Sequence, residues 1–232
     1  MHFSQIQGLY LNRIVIPGYF SHLRTFVSSM SKGITRKEIL DHYGDLAKSE
    51  TEISLDSWTK QPEVELFESV SYLVHRIIVA SLMGPDFFEH HVDELFHLLH
   101  IMEGNLGSMW NFCLPEWVPH PAARRLWAAR DRVCEIFEER LKEREKEPEK
   151  WENAMDYVSY TLRDPATGHL KKFYGAHHTL LMFAAHTSTV ATIAWTVFEV
   201  RLAKKDGMTQ LTQIASQISE QIAEPTRGPC NK

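Results

Sequence analysis

One long, largely apolar segment, from about Phe173 to Ala203, most strongly limits how this chain can fold, because it contains no proline and is too long for a strand. About 20 apolar residues can cross a bilayer. Polar side chains lie within the run, however, including His178, His186 and Thr192, and polar groups are costly in hydrocarbon. The run therefore favours a buried central helix of a large helical domain over a membrane span.

Helical patterns dominate the rest of the chain as well. Apolar residues recur at helical spacing over 63–83 and again over 86–103, where Gly104 is the expected C-terminal cap. Further helices are predicted over 122–147 and 151–162, and Asp164-Pro165-Ala166-Thr167-Gly168 is typical of a turn. No segment shows the alternation of a strand, so the predicted fold class is mostly α.

Charge and cysteine content exclude some classes of protein. The 232 residues carry a formal net charge of -5, whereas nucleic-acid binders usually present a basic face. The charged run 138–147 is interpreted as a solvated helix face with i,i+4 ion pairs. Three cysteines, Cys113, Cys134 and Cys230, form neither a disulfide framework nor a CxxC zinc pattern.

A cluster of small and hydroxyl-bearing residues lies in the middle of the long helix. Ala184 and Ala185 allow another group to approach the backbone, and His186, Thr187 and Ser188 follow them directly. Such a helix suits a flat buried cofactor with a proton path beside it. The alternative is a helix that packs on small residues while its hydroxyls bond to their own backbone. Spacing alone leaves both interpretations open.

The segment 182–189 resembles the I helix of cytochrome P450s, and His-Thr-Ser resembles the sterol 14α-demethylase branch. Ala184 matches the usual glycine, Ala185 the variable position, His186 the acid or histidine, and Thr187 the key threonine. Other family-like stretches follow in family order: Glu103-Gly104-Asn105, Leu114-Pro115-Glu116-Trp117-Val118-Pro119 and Ala129-Arg130-Asp131-Arg132. The resemblance covers roughly residues 10–206, so it implies a partial P450 helical domain over 1–206 and a divergent polar tail over 207–232.

The resemblance implies roles for individual residues. Thr187, His186 and Ser188 would be catalytic, with the threonine and histidine in a proton relay. Leu181, Met182 and Ala185 would face the substrate, and Ala184 would approach the haem. Arg24, in a stretch that resembles the family's C helix, would meet a haem propionate or would be a surface arginine. The implied partners are a sterol-like or terpenoid molecule and an NADPH-dependent reductase, at the endoplasmic reticulum membrane in intact relatives.

The sequence departs from the family where iron is bound. The family's Phe-x-x-Gly-x-x-x-Cys-x-Gly loop, which supplies the thiolate ligand, has no match here. Cys113 and Cys134 lie in regions that match the F–G surface, and Cys230 lacks the flanking pattern. We therefore expect a truncated P450 with the cysteine-loop half missing, with no anchor segment, no stable haem and no monooxygenase activity alone. One apolar face of the long helix would then be exposed.

Two alternatives remain open. The chain could be a non-catalytic helical protein that binds a partner or a hydrophobic ligand. Histidines at helical spacing, with Glu94, His97 and His100 on one face and Asp93 nearby, have the spacing of a zinc or iron site. A helical-bundle metal site also needs ligands from a facing helix. None is evident in the sequence, so no metal site is predicted.

Overall fold

The computed structural model describes residues 15–206 except residue 116. The helices are α1 (Tyr19–Ile34), α2 (Lys37–Thr59), α3 (Leu66–Ile78), a π-helix (Val79–Met83), α4 (Pro85–Leu106), α5 (Met109–Cys113), α6 (Pro121–Lys146), α7 (Pro148–Trp151), α8 (Tyr157–Arg163), a 3₁₀ turn (Lys171–Phe173) and α9 (Tyr174–Asp206). No strand occurs in this described range, and the predicted mostly-α partial P450 fold is confirmed. The predicted boundary between 1–206 and the tail 207–232 lies at the end of the described residues and stays a prediction.

Local sequence signals explain where several helices begin. Proline occupies the first turn of α4, α6 and α7, where a backbone N–H is not needed. Asp156 caps α8 by accepting a hydrogen bond from the Ser159 N–H at 2.7 Å. The predicted cap Gly104 is wrong, because α4 continues to Leu106 and Gly107 takes the C-cap position.

The core forms where α4 and α6 pack side by side and α9 crosses α3 and α6. Phe87 of α4 and Phe137 of α6 are fully buried, with ring centroids 4.6 Å apart. Leu95, Leu99 and Val133 are also fully buried along the same contact. Burying each such side chain is worth about 1.5–3 kcal/mol relative to its exposure, so this contact is the main apolar support of the domain.

The predicted helix over 63–83 is interrupted. It is α-helical to Ile78 and then widens into the π-helix, which ends at Gly84. Gly84 has a φ of 98°, a conformation that side chains with a Cβ rarely adopt. A Cβ at this position would lie 2.8 Å from Nη2 of Arg144. The glycine therefore permits both the sharp turn and the close approach of a buried arginine.

The charged run 138–147 is not entirely solvated, because Arg144 is buried. Lys142 does pair with Glu138 on the surface, at 3.9 Å. Arg144 is only 2% exposed. It binds Asp86 at 2.5 Å and Asp156 at 2.8 Å, and its guanidinium lies 4.3 Å from the Trp151 ring centroid. Through the half-buried Asp86 and the buried Asp156, Arg144 joins α6 to α4 and to the start of α8.

The single helix predicted over 151–162 is also wrong. The chain forms the one-turn α7, turns over residues 152–156, and starts α8 at Tyr157. Arg163 donates to the carbonyls of Trp151, Glu152 and Ala154 and closes this turn. The turn predicted at 164–168 is confirmed, since the N–H groups of Thr167 and Gly168 both donate to the Asp164 carbonyl.

The long helix α9 changes environment along its length. Residues 173–179 are buried, whereas most residues from 191 to 202 are exposed, including Trp195 and Phe198. The expected buried central helix is therefore correct for its first half only, and the expected exposed apolar surface is present on its second half. Two helical stretches, 66–83 and 171–202, are long and apolar enough to cross a membrane by length and composition, a weak criterion that buried core helices also meet.

A buried histidine fastens the start of α9 to α1 and α8. His177 lies between two phenol groups, with Nδ1 2.9 Å from Tyr19 Oη and Nε2 3.0 Å from Tyr157 Oη. Phe26 stacks on the imidazole with a centroid distance of 4.4 Å. Tyr157 also donates to the Phe26 carbonyl, at 3.3 Å. A neutral ring that donates from Nε2 and accepts at Nδ1 satisfies the whole set.

Candidate functional site

His186, in the middle of α9, is 3% exposed and bonded at both ring nitrogens. Its Nδ1 lies 3.2 Å from Glu103 Oε1. Its Nε2 lies 3.1 Å from both the hydroxyl and the carbonyl oxygen of Ser71. Three elements, α9, α4 and α3, therefore meet at one imidazole.

The surroundings satisfy His186 in either protonation state. In both states the Nδ1–H donates to the Glu103 carboxylate. A neutral ring accepts the Ser71 hydroxyl proton at Nε2, and a protonated ring donates from Nε2 to the Ser71 carbonyl. A buried group that keeps its hydrogen bonds when its charge changes is suited to pass a proton.

Glu103 is the carboxylate of the site, and its side chain is 26% exposed. It accepts a second hydrogen bond from the Thr187 hydroxyl at 3.2 Å. Burial by itself raises the pKa of Glu103, but hydrogen bonds from His186 and Thr187 and the nearby imidazoles outweigh it, so the pKa lies below its ordinary value. The carboxyl group is therefore ionised at neutral pH.

The sequence indicated Glu103 only as part of a family-like tripeptide and did not assign it to the site. Glu103 lies 83 residues before His186 in the chain. Its place in the site follows from the packing of α4 on α9, which the sequence alone does not show.

Thr187 and Ser188 differ in what their hydroxyls bind. Thr187 is exposed and joins the Glu103 carboxylate. Ser188 donates instead to the Ala184 carbonyl, at 2.8 Å, and Thr192 donates to the Ser188 carbonyl at the same distance. Ser188 thus bonds to its own backbone, as the second interpretation predicts, whereas Thr187 bonds to a carboxylate of α4. The catalytic roles stay predictions.

A cavity of about 410 Å³ opens beside His186. It combines the polar groups of the site with an apolar wall, and its volume is in the range of small-molecule sites. Its lining residues are Phe67, Ser71, His100, Glu103, Leu106, Gly107, Phe183, His186, Thr187 and Val190.

The other predicted residues lie at different depths. Met182 is in the hydrophobic core with no exposed surface, Leu181 and Ala185 are half-buried, and Ala184 is exposed. Arg24 is exposed on α1, in a shallow groove with Leu23 and Lys32, and it pairs with no carboxylate of the described residues. Their binding roles stay predictions.

The histidine-rich face of α4 gives no metal cluster. Glu94 forms an ion pair with Arg132 at 2.6 Å, and His97 is exposed. Across residues 15–206, no three histidine, cysteine or acidic side chains lie close enough to hold a metal ion.

Comparison with known proteins identifies the relatives. Over 196 residues, 83% of this chain, it is 60% identical to the cytochrome P450 monooxygenase pytD of Aspergillus terreus. It is homologous to P450 monooxygenases. The P450 monooxygenases pynD of Aspergillus niger and pyvB of Aspergillus violaceofuscus are 52% and 50% identical over 85% and 89% of the chain. No protein-family model matches it. The chain spans about half the length of these P450 relatives: 52%, 41% and 42% respectively.

Proposed function

We propose that this chain forms the part of a P450-type monooxygenase in which Glu103, His186 and Thr187 deliver protons to the exposed face of α9. The observation that carries the proposal is the bonding of His186, whose two nitrogens have partners in both protonation states. The homology to P450 monooxygenases supports a monooxygenase reaction, and we propose an oxygen-dependent hydroxylation or demethylation.

The proposed path begins at the 410 Å³ cavity, where solvent reaches the Glu103 carboxylate. Glu103 takes up a proton from solvent and passes it to the Thr187 hydroxyl oxygen as that hydroxyl turns and releases its own proton to an acceptor at the exposed face of the helix. His186 holds the carboxylate in place through its Nδ1–H, and its Nε2 keeps a hydrogen bond to Ser71 in either protonation state. Ser188 joins this relay only when its hydroxyl leaves the Ala184 carbonyl.

The haem that the family implies needs a thiolate, and the described cysteines do not fit that role. Cys134 lies at the contact with α9, where burial raises the pKa of its thiol to about 11. Cys113 is exposed on the one-turn α5, and Cys230 lies outside the described residues. When bound in a P450, haem activates dioxygen. The residues that the structure describes offer haem no thiolate ligand, and Arg24 and Ala184 remain proposed contacts only.

The first test is a carbon monoxide difference spectrum of the chain after addition of haemin and reduction. We expect no thiolate-type Soret band, because the sequence has no match to the family's cysteine loop and the Cys134 thiol meets α9 at Gly175, twelve residues before Thr187. A clear thiolate-type band would show that a cysteine of this chain reaches iron, and it would refute the proposal that the chain alone is inactive.

The substrate class rests on the resemblance of His186-Thr187-Ser188 to the sterol 14α-demethylase branch. We propose a sterol-like or terpenoid substrate, bound near Leu181, Met182 and Ala185, and an NADPH-dependent reductase as electron donor. A chimera in which this chain replaces the matched 196 residues of pytD tests both. We expect lanosterol to shift its Soret band and a fungal P450 reductase to support NADPH oxidation. A folded chimera without either response would contradict the proposed substrate and donor.

The proton relay has its own test in the same chimera. Glu103→Gln keeps the shape of the side chain and removes its ability to carry a proton. We expect turnover to fall about tenfold or more, in line with the usual contribution of a positioned acid or base, with substrate binding unchanged. Glu138→Gln, on the solvated face of α6, is the matched control. Equal turnover of the two variants would remove Glu103 from the relay.

A second candidate function is a non-catalytic helical protein that binds a partner or hydrophobic ligand. The observation in its favour is the exposed apolar second half of α9, with Trp195 64% and Phe198 48% exposed. An inactive chimera, together with stable folding of the chain alone, would favour this function.

For the location we propose the endoplasmic reticulum membrane, as in intact family members, and fractionation of cells that express the chain checks it.

A further inference from the structure

A second cavity, of about 540 Å³, lies between α2, the π-helix, the start of α4 and the segment 150–156. It shares no residue with the cavity beside His186. Its volume is within the roughly 300–1,000 Å³ of small-molecule sites. The lining consists of His42, Leu46, Glu50, Ala80, Gly84, Pro85, Phe88, Lys150, Trp151, Asn153, Ala154, Met155 and Asp156.

The wall of this cavity is mostly apolar. Leu46, Ala80 and Phe88 are half-buried along it, and Trp151 and Met155 lie at its edge. Water against such a wall is released when an apolar molecule covers it, which is worth about 25 cal/mol for each Å². The wall therefore favours a ligand with an apolar body.

One carboxylate in the cavity has an unused acceptor. Glu50 is 8% exposed, and its Oε2 accepts a hydrogen bond from Arg76 Nε at 2.7 Å. Arg76 lies over the Phe88 ring, 4.7 Å from its centroid, which fixes the guanidinium in place. Within residues 15–206, Glu50 Oε1 has no hydrogen-bond partner. The second carboxylate, Asp156, is already bonded to Arg144 and Ser159.

The charges around the cavity select the sign of the ligand. Glu50 and Asp156 face it, whereas Arg76 and Arg144, which pair with them, do not line it. The lysine of the lining, Lys150, is exposed and lies 4.0 Å from Glu147. An anionic head would be repelled by the Glu50 carboxylate, whose Oε1 offers it no donor. An ammonium head would instead form a charge-assisted hydrogen bond with Glu50.

We propose that this cavity binds an amphiphilic cation, with a protonated amine on Glu50 Oε1 and an apolar chain along Leu46, Ala80 and Phe88. The site is independent of the proposed monooxygenase function, since it involves none of its residues. No haem or reductase is needed to test it, so failure of one proposal leaves the other intact.

The test is calorimetric titration of the complete 232-residue chain, without haem, with n-octylamine, 1-octanol and octyl sulfate at neutral pH. We expect one saturable site for octylamine, binding of octanol that is about tenfold weaker because the charge-assisted bond is lost, and no saturable binding of octyl sulfate. Glu50→Gln should weaken octylamine about tenfold and leave octanol unchanged. Glu52→Gln, an exposed neighbour on α2, is the matched control and should bind like the wild type.

A second variant guards against loss of the fold in Glu50→Gln. Met155→Trp enlarges an exposed edge residue and should reduce binding of both octylamine and octanol, while the far-ultraviolet circular dichroism stays unchanged. Phe198→Ser tests adsorption to the apolar surface of α9 and should have no effect. The proposal is overturned if octylamine does not bind, if it binds Glu50→Gln as well as the wild type, or if binding is lost in Phe198→Ser.

Discussion

Nδ1 of His186 lies 3.2 Å from the Glu103 carboxylate, although 83 residues separate them in the chain. The contact joins the end of α4 to the middle of α9, beside the point where the long helix leaves the core. One hydrogen bond thus ties the candidate site to the position of the helix that carries it.

Replacement of Glu103 by alanine should destabilise the domain. The buried Nδ1–H of His186 would lose its acceptor, and an unsatisfied buried donor costs about 1–3 kcal/mol. We expect a decrease of this size in the free energy of unfolding, measured with urea. Glu138→Ala breaks only the exposed pair with Lys142, at 3.9 Å, and should change stability little. An equal effect of both substitutions would mean that the Glu103 contact is not formed in solution.

Arg144→Met should be among the most damaging single substitutions. It leaves the carboxylates of Asp86 and Asp156 buried without their cation, and breaking a buried pair in this way typically costs about 3–5 kcal/mol. Urea unfolding of the variant, with Lys142→Met on the solvated face as control, measures the difference. Stability within experimental error of the wild type would show that Arg144 is solvated, as the sequence pattern had indicated.

Two glycine-to-alanine substitutions should act in opposite directions. Gly84→Ala places a Cβ at a φ of 98° and 2.8 Å from Arg144 Nη2, and residues held in such conformations cost of order 1–3 kcal/mol. Gly104→Ala lies in exposed helix with open space around the new Cβ, so it should stabilise the domain by about 0.5–1 kcal/mol. The midpoint of thermal unfolding of Gly84→Ala tests the turn that ends the π-helix. The midpoint for Gly104→Ala tests the continuation of α4 beyond residue 104.

Acid should destabilise the domain through its buried imidazoles. Burial lowers the pKa of His75 and of His177 to about 4. Because the unfolded value is near 6.5, the folded state binds fewer protons between these limits. The stability contributed by the neutral rings is therefore complete above about pH 6.5, decreases as the pH falls towards 4, and changes no further below that.

The measurement is urea unfolding at pH 7.5, 5.5 and 4.5. Each ring lowers the free energy of unfolding by about 1.4 kcal/mol for each pH unit between 6.5 and 4. The complete loss is therefore on the order of 3 kcal/mol for each ring. His177→Gln should reduce the dependence on pH, and the exposed His97→Gln should retain it. A wild-type stability that is constant from pH 7.5 to 4.5 would contradict the neutral Tyr19–His177–Tyr157 arrangement.

The sequence was most informative where local rules decide the structure. Apolar spacing identified α3 and α4, and a long apolar segment identified α9, because a helix needs only its own backbone bonds and one apolar face. The prediction that the charged run of α6 is solvated was wrong at Arg144. Helical spacing does not reveal that Asp86 and Asp156, from other elements, pair with this side chain. The same limit applies to the site: His186 and Thr187 are visible as a motif, but their carboxylate partner depends on how α4 crosses α9. The π-helix at 79–83 was missed because it follows from the turn at Gly84 and not from side-chain spacing.

The unequal burial of α9 divides the helix into two parts that open independently. Amides of the first turns are held by the core and by the His177 contacts, so their hydrogen exchange requires opening of the whole domain. Beyond Val190 the helix is maintained mainly by its own ladder, supplemented on one face by the hydroxyls of Thr192 and Thr196 bonded to carbonyls four residues earlier. Isotope exchange should therefore proceed from the carboxyl end of α9 and stop near His186, which makes the residue of the proposed proton relay also the boundary between the slow and fast parts of the helix.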